Sequence, residues 1–298
     1  MEPRIQYAKT SDGVSIAFWS LGDGLPVVNL PVPLPFSHVQ MEWQIPEWRG
    51  WYERVVRKRR VIRYDSRGAG LSDREVGDYS LDALLLDLEA VVDRLALKQF
   101  ALLGFLASGP VAIAYAARHP ERVSHLILWH SFARVSDWYA APGVGEALEK
   151  LRETDWESYT ETVSHHAFGW SEGEASNRVA ALLREALTPQ MAQRGMKVIG
   201  EFDVTNLLPQ VQAPTLVMHR RQIPWLSVNT AKELVSGIPE SRLALLEGTS
   251  VAVYLGDMEA VARAIDEFLD DGEETAAAFA SAASPVRTVL FTDIEGST

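Results

Sequence analysis

Phe100-Ala101-Leu102-Leu103-Gly104-Phe105-Leu106-Ala107-Ser108-Gly109 runs directly into Pro110-Val111-Ala112-Ile113-Ala114-Tyr115-Ala116-Ala117-Arg118. The apolar run 100–103 reads as a buried strand. Gly104 opens a sharp turn, and the small-residue stretch from Ala107 to Arg118 reads as a helix. A strand that turns at once into a helix is the repeating unit of a parallel sheet covered by helices.

The same alternation extends outward. Ser80 to Leu97 is an amphipathic helix, with Ser80 able to cap it and leucines at 81, 84, 85, 88 and 95. Strands are expected at Pro26–Leu30, Arg60–Tyr64, Val123–Trp129, Thr215–His219 and Arg242–Leu246, with a short helix over Trp48–Arg57 and a last one over Met258–Leu269. Residues 5–30 read as short strands broken by turns at Ser11-Asp12-Gly13 and Leu21-Gly22-Asp23-Gly24. Pro31, Pro33 and Pro35 then force a loop. The fold class is α/β, a doubly wound and mostly parallel sheet. Residues 133–210 break the rhythm with helical patterns and dense aromatics, and read as an inserted helical cap.

With 298 residues the chain can bury one large core. Its apolar fraction of 47% and charged fraction of 23% are ordinary for a globular domain. A formal net charge of -12 disfavours nucleic acid and anionic lipid as partners. The basic run Arg57-Lys58-Arg59-Arg60 reads as a solvated helix end. The chain has no cysteine, which removes disulfides, thiolate nucleophiles and Cys-ligated zinc. The opening Met1-Glu2-Pro3-Arg4 has no signal-peptide core, and no run approaches the ~20 apolar residues of a membrane span. A cytoplasmic protein without membrane insertion is expected.

Three motifs carry a family resemblance. Tyr64-Asp65-Ser66-Arg67-Gly68-Ala69-Gly70-Leu71-Ser72-Asp73 is similar to the D-x-R-G-x-G-x-S turn of the α/β-hydrolase superfamily. Gly104 to Gly109 stands where that superfamily carries its nucleophile turn, and Val111 to Val123 resembles the helix that follows it. The resemblance spans about residues 5–270. At the far end, Val289-Leu290-Phe291-Thr292-Asp293-Ile294-Glu295-Gly296-Ser297-Thr298 resembles the opening of a class III nucleotide cyclase domain. It implies that Asp293 is a metal carboxylate in a complete cyclase domain, which would use Mg or Mn ions with ATP and pair as a homodimer. The expected organisation is a hydrolase-like domain over 1–270, a linker over 271–286 and the beginning of a cyclase domain over 287–298.

A serine hydrolase needs a nucleophile on the strained turn, a histidine to take its proton and an acid to orient that histidine. Leu106 stands at the nucleophile position, Val251 at the histidine position after Glu247-Gly248, and Ile223 near the acid position. Asp137 offers an acid after the Trp129 strand, but nothing for it to orient. Ser108 lies about 200° around the helix from Leu106 and reads as a packing residue. Pro31 and Pro33 lack the N–H that an oxyanion hole requires, which leaves the Ala107 N–H.

Leu106, Ile223 and Val251 are expected to converge on one apolar pocket, with Leu30, His38, Phe105, Ala107, Trp129 and His130 around it. A hydrogen-bonded structural role is the alternative for both histidines. Adjacent His165 and His166 point ~100° apart on a helix and do not make a metal pair. Gly68 and Gly70 read as a tight turn without a phosphate-loop continuation. The resulting expectation is a catalytically inactive regulatory domain of an adenylate cyclase that binds a small apolar or amphipathic ligand and needs no cofactor of its own. Two alternatives stand beside it: a hydrolase or esterase using nonstandard residues such as Ser108 with His130, and a ligand-free dimerisation scaffold.

Overall fold

The computed structural model describes residues 2–33, 37–138, 143–169 and 173–281. In chain order the elements are β1 (Gln6–Lys9), β2 (Ser15–Leu21), β3 (Pro26–Asn29), α1 (Val39–Gln44), α2 (Pro46–Val55), β4 (Arg60–Tyr64), α3 (Leu81–Arg94), β5 (Phe100–Phe105), α4 (Ser108–Arg118) and β6 (Val123–Trp129). Then come α5 (Val144–Thr154), α6 (Trp156–Phe168), α7 (Gly173–Ala186), α8 (Pro189–Ile199), β7 (Thr215–Arg220), α9 (Val228–Gly237), β8 (Ser241–Leu246) and α10 (Met258–Ser281).

The described strands form one eight-stranded sheet in the order β1-β2-β4-β3-β5-β6-β7-β8. β1 and β2 form an antiparallel hairpin, and β2 pairs antiparallel with β4. From β4 to β8 every pairing is parallel. The chain leaves β3 for β4 on one side and returns through α3 to β5 on the other. That reversal between β3 and β5 is a topological switch point, where open α/β sheets form their ligand crevices.

Local sequence explains the central elements. Ser80 Oγ accepts from Ala83 N–H at 3.2 Å and caps α3 as its position suggested. Gly104 permits the close docking of α4 on β5: a Cβ there would lie 3.0 Å from Ala112 Cβ and 3.1 Å from Gly109 Cα. The 133–210 segment forms the helices α5 to α8, between β6 and β7.

Two expectations need correction. The basic run is not a solvated helix end, because Arg59 is buried and pairs with Asp270 of α10. Nearby, Arg54 bonds Glu259 and Asp266, and Lys58 bonds Asp270, so these cations clamp α10 to α2. The last helix also runs past Leu269 to Ser281, into the stretch read as a linker. Residues 282–298, including Asp293 and the cyclase-like motif, lie outside the described residues.

Candidate active site

The turn between β5 and α4 keeps the geometry of a nucleophile elbow. Leu106 has φ 49°, a left-handed backbone that costs a branched residue about 1–3 kcal/mol. His130, just past β6, has the same φ of 49°. The two strained residues are tied together at the carboxyl edge of the sheet. Leu106 N–H donates to Trp129 O at 3.1 Å, Ser131 Oγ donates to Leu106 O at 3.0 Å, and His130 N–H donates to Met218 O at 3.0 Å.

Ser108 is fully buried. Its Oγ accepts from Phe105 N–H at 2.7 Å and donates to Phe105 O at 2.9 Å. The hydroxyl closes the turn from beneath and makes no contact with His130, so the two are not brought together as a catalytic pair. Leu30 N–H is taken by Leu103 O at 2.9 Å. The Ala107 N–H has no partner among the described backbone bonds and sits at the N-terminus of α4.

A cavity of about 40 Å³ opens beside this turn, at the β3/β5 switch point. Leu106 and Val251 line it, as do Leu30 and Phe105. Trp48, Trp51 and Phe168 also line it.

The other expected pocket residues lie elsewhere. Ile223 is buried but does not reach the lining, which is completed instead by α2, the end of α6 and the 251–254 loop. His38 caps α1, its Nδ1 accepting from Met41 N–H at 3.3 Å. The Trp129 side chain is turned behind the wall, where Nε1 donates to Val251 O at 2.6 Å. Ala107 is wholly buried and contributes only its backbone to the elbow. His130 is sealed beneath, its ring 4.4 Å from that of His219.

Sequence reading missed a buried polar group behind the cavity wall. Glu42 of α1 is fully buried and bonds Arg63 of β4, with Nη2 to Oε1 at 2.6 Å and Nε to Oε2 at 2.9 Å. Tyr52 Oη donates to Glu42 Oε2 at 2.6 Å. Burial alone would pull the Arg63 guanidinium down, but the adjacent Glu42 carboxylate holds it up and charged. Arg63, Tyr52 and Asn29 all reach the lining. The signal available in sequence was a lone arginine inside the strand Val61-Ile62-Arg63-Tyr64.

A second buried arginine shapes the opposite wall. Arg220 Nη1 donates to Ser250 O at 2.8 Å and Ala252 O at 2.9 Å, and Nη2 donates to Leu255 O at 2.6 Å. Its guanidinium lies 5.3 Å from the Trp129 ring centroid. Burial pulls its pKa down to about 10, so it remains a cation at neutral pH.

Burial, with His219 and Arg220 nearby, drives the His130 pKa well below its ordinary 6.5. A histidine buried neutral contributes stability fully above its unfolded pKa and loses it as pH falls towards the folded one. Below about pH 6.5 this one group lowers stability by up to about 1.4 kcal/mol per pH unit. Asp65 and Asp87, each pushed up to about 7 by burial, act with the opposite sign between their unfolded pKa and pH 7. The His130 contribution is therefore read as a difference: urea midpoints at pH 7.5 and pH 5 should diverge less in His130→Asn than in the wild type. An equal or steeper acid loss in the variant refutes the assignment.

The model for the alpha/beta hydrolase fold matches residues 44–243. The chain belongs to the α/β-hydrolase family. AB hydrolase superfamily protein YisY of Bacillus subtilis is 28% identical over 274 residues, which is 88% of this chain and 98% of that protein. A pimeloyl-[acyl-carrier protein] methyl ester esterase of Nitrosomonas europaea is 30% identical over 219 residues, 70% of this chain and 84% of that one. Among solved structures, an esterase from Exiguobacterium antarcticum superposes with a TM-score of 0.77 at 22% identity, covering 89% of this chain and 99% of that one. At that identity the likeness establishes the α/β-hydrolase fold.

These findings overturn the expectation of a pseudoenzyme regulating an adenylate cyclase. The relatives matched across most of the chain carry hydrolase and esterase names, which favours the alternative of a hydrolase with nonstandard residues. That expectation rests on the side chains at 106, 223 and 251 and on the cyclase-like motif at 289–298. In this α/β-hydrolase the strained backbone at 106 and the Ala107 N–H at the N-terminus of α4 do not depend on the chemistry of those side chains. No helix among the described residues is long and apolar enough to cross a membrane.

Proposed function

We propose that this protein hydrolyses esters or lactones of short, apolar acids, with water rather than a side chain as the nucleophile. The observation that carries the reading is the strained elbow with its unpartnered Ala107 N–H beside an apolar cavity, in a chain whose relatives include a named esterase. The substrate's acyl group occupies the cavity between Leu30, Trp51 and Phe168. Water adds to the acyl carbon and gives up a proton to a second water, while the carbonyl oxygen, now negative, accepts from the Ala107 N–H at the N-terminus of α4. The carbonyl then re-forms, the bond to the alcohol oxygen breaks, and the alcohol leaves with a proton from that water. Leucine at 106 has no lone pair, so no acyl-enzyme forms there. The small cavity selects short acyl groups.

The expected rate is modest. Oxyanion donors and binding alone give about 10³–10⁴ over water when a triad is removed. Losing one of two donors removes about 10²–10³ of that, which leaves at most about 100-fold and centrally about 10-fold. Purified protein should accelerate p-nitrophenyl acetate hydrolysis by that factor, favour acetate over decanoate, show no acyl adduct by intact mass, and retain its rate in Ser108→Ala. Turnover no faster than that of heat-denatured protein defeats the proposal. An acyl adduct, or loss of turnover in Ser108→Ala, defeats the water mechanism.

A further inference from the structure

Tyr254 lines the cavity and carries an unfulfilled hydrogen bond. Its Oη is shut off from solvent without any partner. The ring is fixed by neighbours on two sides: Trp48 at 5.0 Å between centroids and Phe168 at 6.2 Å, nearly parallel. Burial, then the nearby Glu42 and Glu47 carboxylates, raise the phenol's pKa well above 10, so it keeps its proton and remains a donor. A buried hydroxyl with no partner is uncommon in native proteins and calls for an occupant.

The surroundings define the charge of that occupant. Arg63 is the one cation in the lining among the described residues, and Glu42 already holds it through two hydrogen bonds. Glu47 is paired with Arg178. Arg63 is committed to Glu42 and Arg178 to Glu47, so an anionic ligand would enter without a free cation to receive it. A neutral oxygen acceptor on an apolar body satisfies Tyr254 at no electrostatic cost.

We propose that Tyr254 Oη is a specificity-determining donor that selects neutral ligands carrying a ketone, ester or lactone oxygen over hydrocarbons of the same shape. The inference rests on the preceding reading only in taking this cavity as the ligand site; it requires no turnover. The probes are 2-pentanone and pentane, titrated by NMR into wild type and Tyr254→Phe. Wild type should prefer the ketone, and the variant should reduce that preference about tenfold while pentane binding stays unchanged. The carbonyl stretch of bound 2-pentanone should also lie at lower frequency in the wild type than in the variant. Without ligand, Tyr254→Phe should melt no lower than the wild type, because the lost hydroxyl had no partner.

An unchanged ketone-to-pentane ratio overturns the proposal, as does failure of the wild type to bind 2-pentanone. A lower melting temperature of the unliganded variant also overturns it, since it would reveal a partner for the hydroxyl within the protein. Ketone selectivity without ester turnover would leave this inference standing and remove the hydrolytic one alone.

Discussion

Arg63→Met should lower stability by about 3–5 kcal/mol, because it leaves the fully buried Glu42 carboxylate without its cation. Nothing else in the surroundings can replace the two hydrogen bonds at 2.6 and 2.9 Å; Tyr52 Oη supplies only one neutral donor. The damage extends to the site, since Glu42 on α1 and Arg63 on β4 together fix one cavity wall. A second substitution sharpens the test. Removing both charges in Arg63→Met with Glu42→Leu should recover most of the loss, because a well-packed apolar pair is often no worse than a buried ion pair. Urea denaturation of the wild type, both single variants and the double variant closes the cycle. A single-variant cost below about 1 kcal/mol, or a double variant no better than Arg63→Met, shows that the carboxylate is not stranded.

Arg220→Met should cost a similar amount, about 3–5 kcal/mol, by a different route. It deprives the carbonyls of Ser250, Ala252 and Leu255 of their donors at once. A buried group left unsatisfied costs about 1–3 kcal/mol, and partial access of water to the loosened loop keeps the sum below the maximum. The loop concerned carries Val251 and Tyr254, so its release also opens the cavity. Hydrogen exchange at residues 250–255 should rise by more than the global change, and ligand affinity should fall with it. Lysine at 220 keeps the charge but not the planar fork, so it should rescue less than half of the loss. Unaltered exchange in the loop would show that Trp129 Nε1, bonded to Val251 O, holds it alone.

The sheet and its covering helices were legible because their signals are local. The apolar runs at 60–64 and 123–129 coincide with β4 and β6, and Ser80 caps α3 as its position implied. The elbow was legible for the same reason: Gly104 and Gly109 flank the turn at two positions where a Cβ would collide with Ala112 or Ser131. The cavity was not. Its walls join residues far apart in the chain, such as Trp48, Phe168 and Tyr254, and no periodicity records that they meet. Ile223 and Val251 had been expected to share the cavity, yet only Val251 reaches it, because loop lengths after β7 and β8 are set by contacts that sequence does not display.

By itself the sequence determined the α/β architecture, the position of the elbow and the absence of a nucleophilic side chain at 106, since backbone preference and side-chain chemistry are properties of single residues and their near neighbours. Tertiary structure alone decided which buried charges pair, where the cavity lies and that Tyr254, whose hydroxyl has no partner, lines it. Those outcomes depend on electrostatics and packing between segments as distant as α1, β4 and the 248–256 loop, whose mutual distances exist only once the sheet has assembled.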